Sequence, residues 1–221
     1  MSMVIVGDLH VGSRHFVRDR FLRFLERLPT EATLVLNGDT VHHPDDFPAL
    51  RDKDMEVLHA IRDQTPERRV VWIIGNHDRF FRLADPGKIE FRSFLVDETN
   101  NLHVSHGWEF LPFYHLTRLA ALMLRPLNIA FQGGEGPLSP RLAKKLPALF
   151  RMLNHGTMRN AVKFAQKNGY KAVACGHTHA AAKVTINNIT YLNHGTWTEW
   201  PAFYLFVDGN EMSLRQADEI M

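Results

Sequence analysis

Five apolar runs in this chain end alike, and no other feature restricts its fold so tightly. Val70 to Ile74 closes on Gly75-Asn76-His77-Asp78. Met3 to Gly7 leads into Asp8-Leu9-His10, Thr33 to Gly38 into Asp39, Leu102 to Ser105 into His106-Gly107, and Lys171 to Gly176 into His177-Thr178-His179. Short runs rich in apolar and β-branched residues, followed by a turn residue, read as strands. A core needs no amide, imidazole and carboxylate in that order, whereas strands that open at their C-terminal ends onto a site do. The pattern predicts several strands aiming ligand-type side chains in one direction.

At 221 residues and 45% hydrophobic, the chain can bury one α/β core and carry an insertion. Its single cysteine, Cys175, excludes an internal disulfide and, lying just before Gly176, is expected to face the core. Val4-Ile5-Val6 follows the initiator Met almost at once, so no signal peptide is expected and a cytoplasmic protein is. The 13 histidines are the unusual feature of the composition, and His10, His77, His106, His177 and His179 stand at strand ends, which points to metal.

In an extended segment, residues two apart share a face, which would let Asp8 and His10 reach one cation. Val17, Phe21, Phe24, Leu25 and Leu28 predict an amphipathic helix ended by Pro29. Asp39, after Gly38, projects beyond the sheet edge, where its two oxygens could bridge two cations. The next stretch is a loop broken by Pro44 and Pro48, with His43, Asp45 and Asp46 at the surface and His42 a candidate for supporting the site. Asp52 to Arg62 reads as a second helix. At the following strand end, Asn76 offers a neutral oxygen ligand, His77 can act as general acid, and Asp78 can orient its ring. Arg79 could grip a phosphate or form an ordinary surface ion pair. His103, inside a strand, is expected to be structural. In Gly176-His177-Thr178-His179 two imidazoles stand one pleat apart, able to serve two neighbouring ions. Asp8, His10, Asp39, Asn76, His106, His177 and His179 form a nitrogen and oxygen set without thiolate, suited to Mn²⁺, Fe or Zn²⁺.

Taken in order, D-x-H, G-D, G-N-H-D, H-G and G-H-T-H resemble the signature of the calcineurin-like metallophosphoesterases, across Asp8 to His179. The resemblance implies a four-layer α/β/β/α sandwich of two mixed sheets with a two-metal site at the strand ends. It would place one cation on Asp8, His10, Asp39 and His179 and the second on Asp39, Asn76, His106 and His177, with Asp39 as the bridge. It also implies that His77 serves the leaving-group side, supported by Asp78. Two cations roughly 3.5–4 Å apart neutralise a phosphoryl group and generate a nucleophile near neutral pH.

Substrate choice is expected to come from an inserted helical cap over 110–153. From Phe110 to Arg151 there are six basic residues (Arg118, Arg125, Arg141, Lys144, Lys145, Arg151) against one acidic, Glu135, which leaves the remainder of this +2 chain net acidic. Arg118 and Arg125 are candidate substrate contacts. The stretch is also apolar, yet Pro126 and its arginines interrupt it short of a transmembrane span. Residues 132–137 read as a glycine-rich hinge before a basic amphipathic helix around Arg141 to Leu153, and a further helix is expected from Thr157 to Asn168. An insertion at this place resembles the UDP-2,3-diacylglucosamine pyrophosphatases, which implies a lipid-linked substrate and peripheral contact with the inner membrane. Soluble nucleotides, phosphodiesters or nucleic acid are the alternative, and a non-catalytic scaffold of the same fold a third reading. Asn187-Asn188 predicts a hairpin, and His194, at a further strand end, is a substrate-contact candidate, with Trp197 and Trp200 at the rim or in the core.

Overall fold

The computed structural model describes residues 2–42, 50–112, 144, 146–209 and 211–220. Two sheets pack face to face between helices. The first has strand order β11-β10-β1-β2-β3-β4, with β1 (Met3–Val6), β2 (Thr33–Asn37), β3 (Val70–Ile73) and β4 (Glu90–Arg92) parallel, and β10 (Phe203–Asp208) antiparallel to both β1 and β11 (Glu211–Gln216). The second runs β5-β6-β7-β9-β8. Here β6 (Leu102–Val104), β7 (Ala172–Cys175) and β9 (Ile189–Asn193) are parallel, flanked by antiparallel β5 (Leu95–Asp97) and β8 (Ala182–Ile186).

Side-chain alternation sets the layers. On β1, Val4 and Val6 pack beneath α1 (Arg18–Glu26) and α2 (Asp52–Arg62), while Met3 and Ile5 face the second sheet; Leu34 and Leu36 against Val35, and Trp72 against Val71 and Ile73, divide the same way. Both faces of these strands are buried, hence their unbroken apolar runs. On β7, Ala172 and Ala174 meet the first sheet, whereas Val173 and Cys175 face Ala161, Val162 and Ala165 of α3 (Pro147–Asn168). The result is the expected four-layer sandwich of two mixed sheets.

The helices follow their sequence with one difference. Phe21, Phe24 and Leu25 bury one face of α1, and Trp197 packs edge-on against Phe21 with ring centroids 5.0 Å apart, which makes Trp197 core. Trp200 is part-exposed, with the Arg20 guanidinium over its ring. Two helices expected around Gly156 are one continuous helix, α3. A glycine inside a helix costs about 1 kcal/mol, but a β-carbon at this one would overlap the Pro112 ring. Close packing of the loop, rather than a break, explains Gly156. Of the span 110–153, only 110–112, 144 and 146–153 are described, and Phe110 belongs to the core beside α3. Asn187 and Asn188, at φ 50° and 63°, close the β8–β9 hairpin as expected.

Candidate metal centre

The parallel strands β1, β2 and β3 of one sheet and β6, β7 and β9 of the other end on the same side, and every strand-end residue singled out above emerges there. Their loops are joined by backbone hydrogen bonds. Asp8 N donates to Gly38 O at 2.9 Å, His10 N to Asp39 O at 3.0 Å, Val11 N to Thr40 O at 2.8 Å and His42 N to Val11 O at 2.9 Å, so the β1 and β2 loops run as one ladder. Within the second sheet, Gly176 N donates to His106 O at 2.8 Å and joins the β6 and β7 loops.

Two clusters form at this end. Asp8, His10 and His179 offer ligand atoms that all lie within 4.8 Å of one another, and so do Asp39, His106 and His177. In the first, Asp8 Oδ1 is 3.2 Å from His179 Nε2 and 3.8 Å from His10 Nε2, and the two Nε2 atoms approach to 3.1 Å. In the second, Asp39 Oδ2 is 3.2 Å from His106 Nε2. His106 donates from Nδ1 to Asn37 O at 2.9 Å, which leaves Nε2 facing the cluster.

The pairs converge for a different reason than strand alternation. Asp8, His10, Asp39, His177 and His179 have φ of 49°, 52°, 49°, 62° and 55°, so each stands in a left-handed kink rather than in extended chain. Asp8 and His10 therefore share one cluster although they are not on a strand, and His177 and His179 part to separate clusters. Gly38, at φ 81°, turns where a β-carbon would sit 2.5 Å from His106 Cγ.

Electrostatics reflect the crowding. Burial would raise Asp8 and Asp39, but the adjacent imidazoles, His179 and His106 foremost, hold both carboxylates below the ordinary range. Burial alone would lower His106, yet Asp39 and Asp8 raise it to about 10. Burial, then the charge of His106, lowers His177 to about 3, and burial with His77 and His179 pulls His10 well down. The metal-free site thus sets neutral imidazoles, His10 and His177, and a protonated His106 beside ionised carboxylates. Asn76 Oδ1 is buried without a hydrogen-bond partner, and Asp8 Oδ1 and His106 Nε2 have only the imidazole and carboxylate of their own clusters beside them, an expense a protein seldom tolerates unless something else binds there. A hard-to-borderline divalent cation fits this nitrogen and oxygen set.

The remaining expectations divide. His77 is half-buried; its backbone N donates to Asp39 Oδ1 at 2.8 Å, its Nε2 stands 3.9 Å from Asp39 Oδ2, and its Nδ1 meets the carbonyl oxygen of His42. Orientation of the His77 ring by Asp78 is not what the structure shows. Asp78 accepts from Thr40 N and Trp72 Nε1 at 2.9 Å each and from Gly75 N at 2.6 Å, so its carboxylate ties its own loop to the loop after β2 and to the β3 tryptophan. Burial and the charge of Asp39 push Asp78 up to about 6, against three donors that favour its ionised form.

His194, expected to contact substrate, lies inside the fold. It is fully buried behind Asp8, and a β-carbon at Gly7 or Gly176 would lie 2.7 or 2.5 Å from its Cε1. Its Nδ1 lies 4.0 Å from Asp8 Oδ2, and burial lowers it to about 4. Arg79 is exposed, its guanidinium beside Phe80. His103 stacks among Phe94, Phe164 and Tyr170 away from the clusters. Arg118 and Arg125, the 132–137 hinge, and His43, Asp45 and Asp46 lie outside the described residues. His42, which the sequence offered only as a supporting candidate, forms a third group with His10 and His77, their ring nitrogens within 4.8 Å of one another.

A two-sheet sandwich presenting paired histidine and carboxylate clusters at its parallel strand ends defines the metallophosphoesterase class. The chain belongs to the calcineurin-like phosphoesterase family, whose model matches residues 1–181. Similar solved structures include an archaeal phosphodiesterase (14% identical, TM-score 0.52, covering 98% of each chain) and the Escherichia coli phosphoesterase YfcE (16%, TM-score 0.51, 100% of this chain and 96% of that one). At such identities the likeness is one of fold. A curated relative, the DNA polymerase II small subunit of Halobacterium salinarum, is 28% identical over 101 residues, and the match spans only 20% of that protein's length.

Proposed function

We propose that the protein is a two-metal phosphoester hydrolase acting on phosphodiesters. The observation that carries this is the pair of buried carboxylate and imidazole clusters at the strand ends of two sheets, with the buried Asn76 Oδ1 left without a hydrogen-bond partner. Asp8, His10 and His179 would hold one cation and His106, His177 and Asn76 the other, with Asp39 shared. When bound, the ions supply Lewis acidity toward the phosphoryl oxygens and a water made nucleophilic near neutral pH. The side chains do the rest. The carbonyl of His42 holds the proton on His77 Nδ1, which leaves Nε2 on the cluster side to carry the proton given to the departing oxygen. Asp78 fixes the loop that presents His77, and His194 backs Asp8.

Mn²⁺-dependent hydrolysis of bis-(p-nitrophenyl) phosphate tests this, with turnover abolished by EDTA and restored by Mn²⁺. Absence of any metal-dependent turnover would leave the scaffold reading in its place. A pyrophosphate-linked lipid is the second reading, favoured by the exposed Leu146, Leu149 and Met152 at the start of α3. Comparing a detergent-dispersed lipid pyrophosphate with a soluble dinucleotide separates the two.

A further inference from the structure

We infer that His42 is a positioning residue that acts on both sides of the reaction, its imidazole on the ligand His10 and its carbonyl on the acid His77. This rests on the function proposed above and adds a residue to it. His10 Nδ1 lies 3.4 Å from His42 Nδ1, with the rings edge to face at 5.4 Å, and the other His10 nitrogen faces Asp8 and His179.

A histidine that offers Nε2 to a cation carries its proton on Nδ1, and that proton needs an acceptor. Here the acceptor is His42 Nδ1, which assigns the His42 proton to Nε2. The His42 carbonyl meets His77 Nδ1, and the two rings lie nearly parallel, 5.9 Å apart. His42 can serve both because its own backbone is fixed. Its N–H is held by Val11 O, and Val11 pairs with Val41 in a parallel bridge. The side-chain and carbonyl contacts are separable, since substitution at position 42 removes the first and keeps the second.

Three variants and a Mn²⁺ titration by equilibrium dialysis against a competing chelator test this. His42→Ala and the shape-preserving His42→Phe should weaken one of two Mn²⁺ sites by about 10- to 100-fold. His42→Asn, whose Oδ1 can take the place of the Nδ1 acceptor, should recover most of the loss. In all three, at saturating Mn²⁺, the activity ratio between an alkyl and a p-nitrophenyl diester should match wild type, because the carbonyl on His77 remains. The inference is overturned if both Ala and Phe variants bind two Mn²⁺ as tightly as wild type, if Asn does no better than Phe, or if alkyl ester turnover falls selectively with Mn²⁺ binding intact. Wild-type protein that takes up no Mn²⁺ overturns the underlying function as well, a result that needs no variant to see.

Discussion

Raising the pH on the metal-free protein should destabilise it largely through one side chain. His106 is fully buried, and the Asp39 carboxylate 3.2 Å from its Nε2, with Asp8 beyond, overcomes the cost of burial and lifts its folded pKa to about 10, against 6.5 for an ordinary histidine. A proton held more tightly in the folded state stabilises that state, so the contribution is complete below pH 6.5 and is lost as pH rises through 10. Between those limits the loss is about 1.4 kcal/mol per pH unit, so moving from neutrality to about pH 8.5 should cost about 2 kcal/mol. That is a large share of the 5–15 kcal/mol by which domains are ordinarily stable. The window stops below the range where the Cys175 thiol and Tyr191 phenol, both pushed up by burial, begin to add losses of their own. On the acid side the slope reverses. His10, His177 and His194 are held neutral by burial with lowered pKa values, so the unfolded chain binds more protons and stability falls as pH drops below 6.5. Urea denaturation in EDTA across this range should therefore show a maximum near neutrality. His106→Asn should flatten the alkaline limb and keep the acid limb, and Mn²⁺ should flatten it too, because a ligating imidazole has given up that proton. An alkaline limb of unchanged slope in His106→Asn would refute the reasoning.

Three further outcomes follow from the same geometry. His77→Ala should keep both Mn²⁺ ions yet lose about 10²–10⁴-fold in turnover of an alkyl diester and far less with p-nitrophenolate as leaving group; equal turnover of the alkyl ester removes the acid role. Asp39→Asn should lose Mn²⁺ binding and activity together, and full activity with one Mn²⁺ bound would show that Asp39 is not shared. Gly38→Ala forces a non-glycine residue to φ 81° and a β-carbon against the pinned His106 ring. Left-handed strain and overpacking together should cost about 2–5 kcal/mol by denaturation, and a change under ~0.5 kcal/mol would mean that His106 can move aside.

Where sequence and structure agree, a strong local rule was at work. The buried parallel strands could be read because both faces are apolar and each ends on glycine or a polar ligand. β4 and β5 escaped notice because each has three residues, none of them fully buried, and Glu90 and Arg92 form surface ion pairs where a strand signal would be sought. Ligand-type residues could be listed from their positions, but their roles needed three dimensions. Asp78 follows His77 directly, yet its oxygens turn inward to Trp72 and two backbone amides, a choice fixed by a tryptophan six residues earlier. His194 ends a strand like the others, but Gly7 and Gly176 let its ring fill the space behind Asp8. Contacts made by His42 through a carbonyl are indifferent to side-chain identity, so no pattern of residues announces them.

The kinks at the strand ends explain why aspartate and histidine, rather than any ligand, occupy these positions. Five of the eight non-glycine residues with positive φ among the described residues are Asp8, His10, Asp39, His177 and His179, and the other three are asparagines in turns. Left-handed backbone costs roughly 1–2 kcal/mol per residue for most side chains and is least unwelcome to Asn, Asp and His. A glutamate could reach a cation from extended chain, but a short side chain has to be aimed by its backbone. The strain is offset by the ladder joining the β1 and β2 loops and by Asp8 and Asp39 themselves, which accept the backbone N–H groups of His177 and His77 at 2.8 Å each. Asp8 thus holds the kinked His177 loop of the opposite sheet, and Asp39 the His77 loop of the neighbouring strand, each with one oxygen while turning the other toward its cluster. Ligand geometry is built into the fold before any ion arrives, which is the condition under which buried oxygens and nitrogens can be left unpaired.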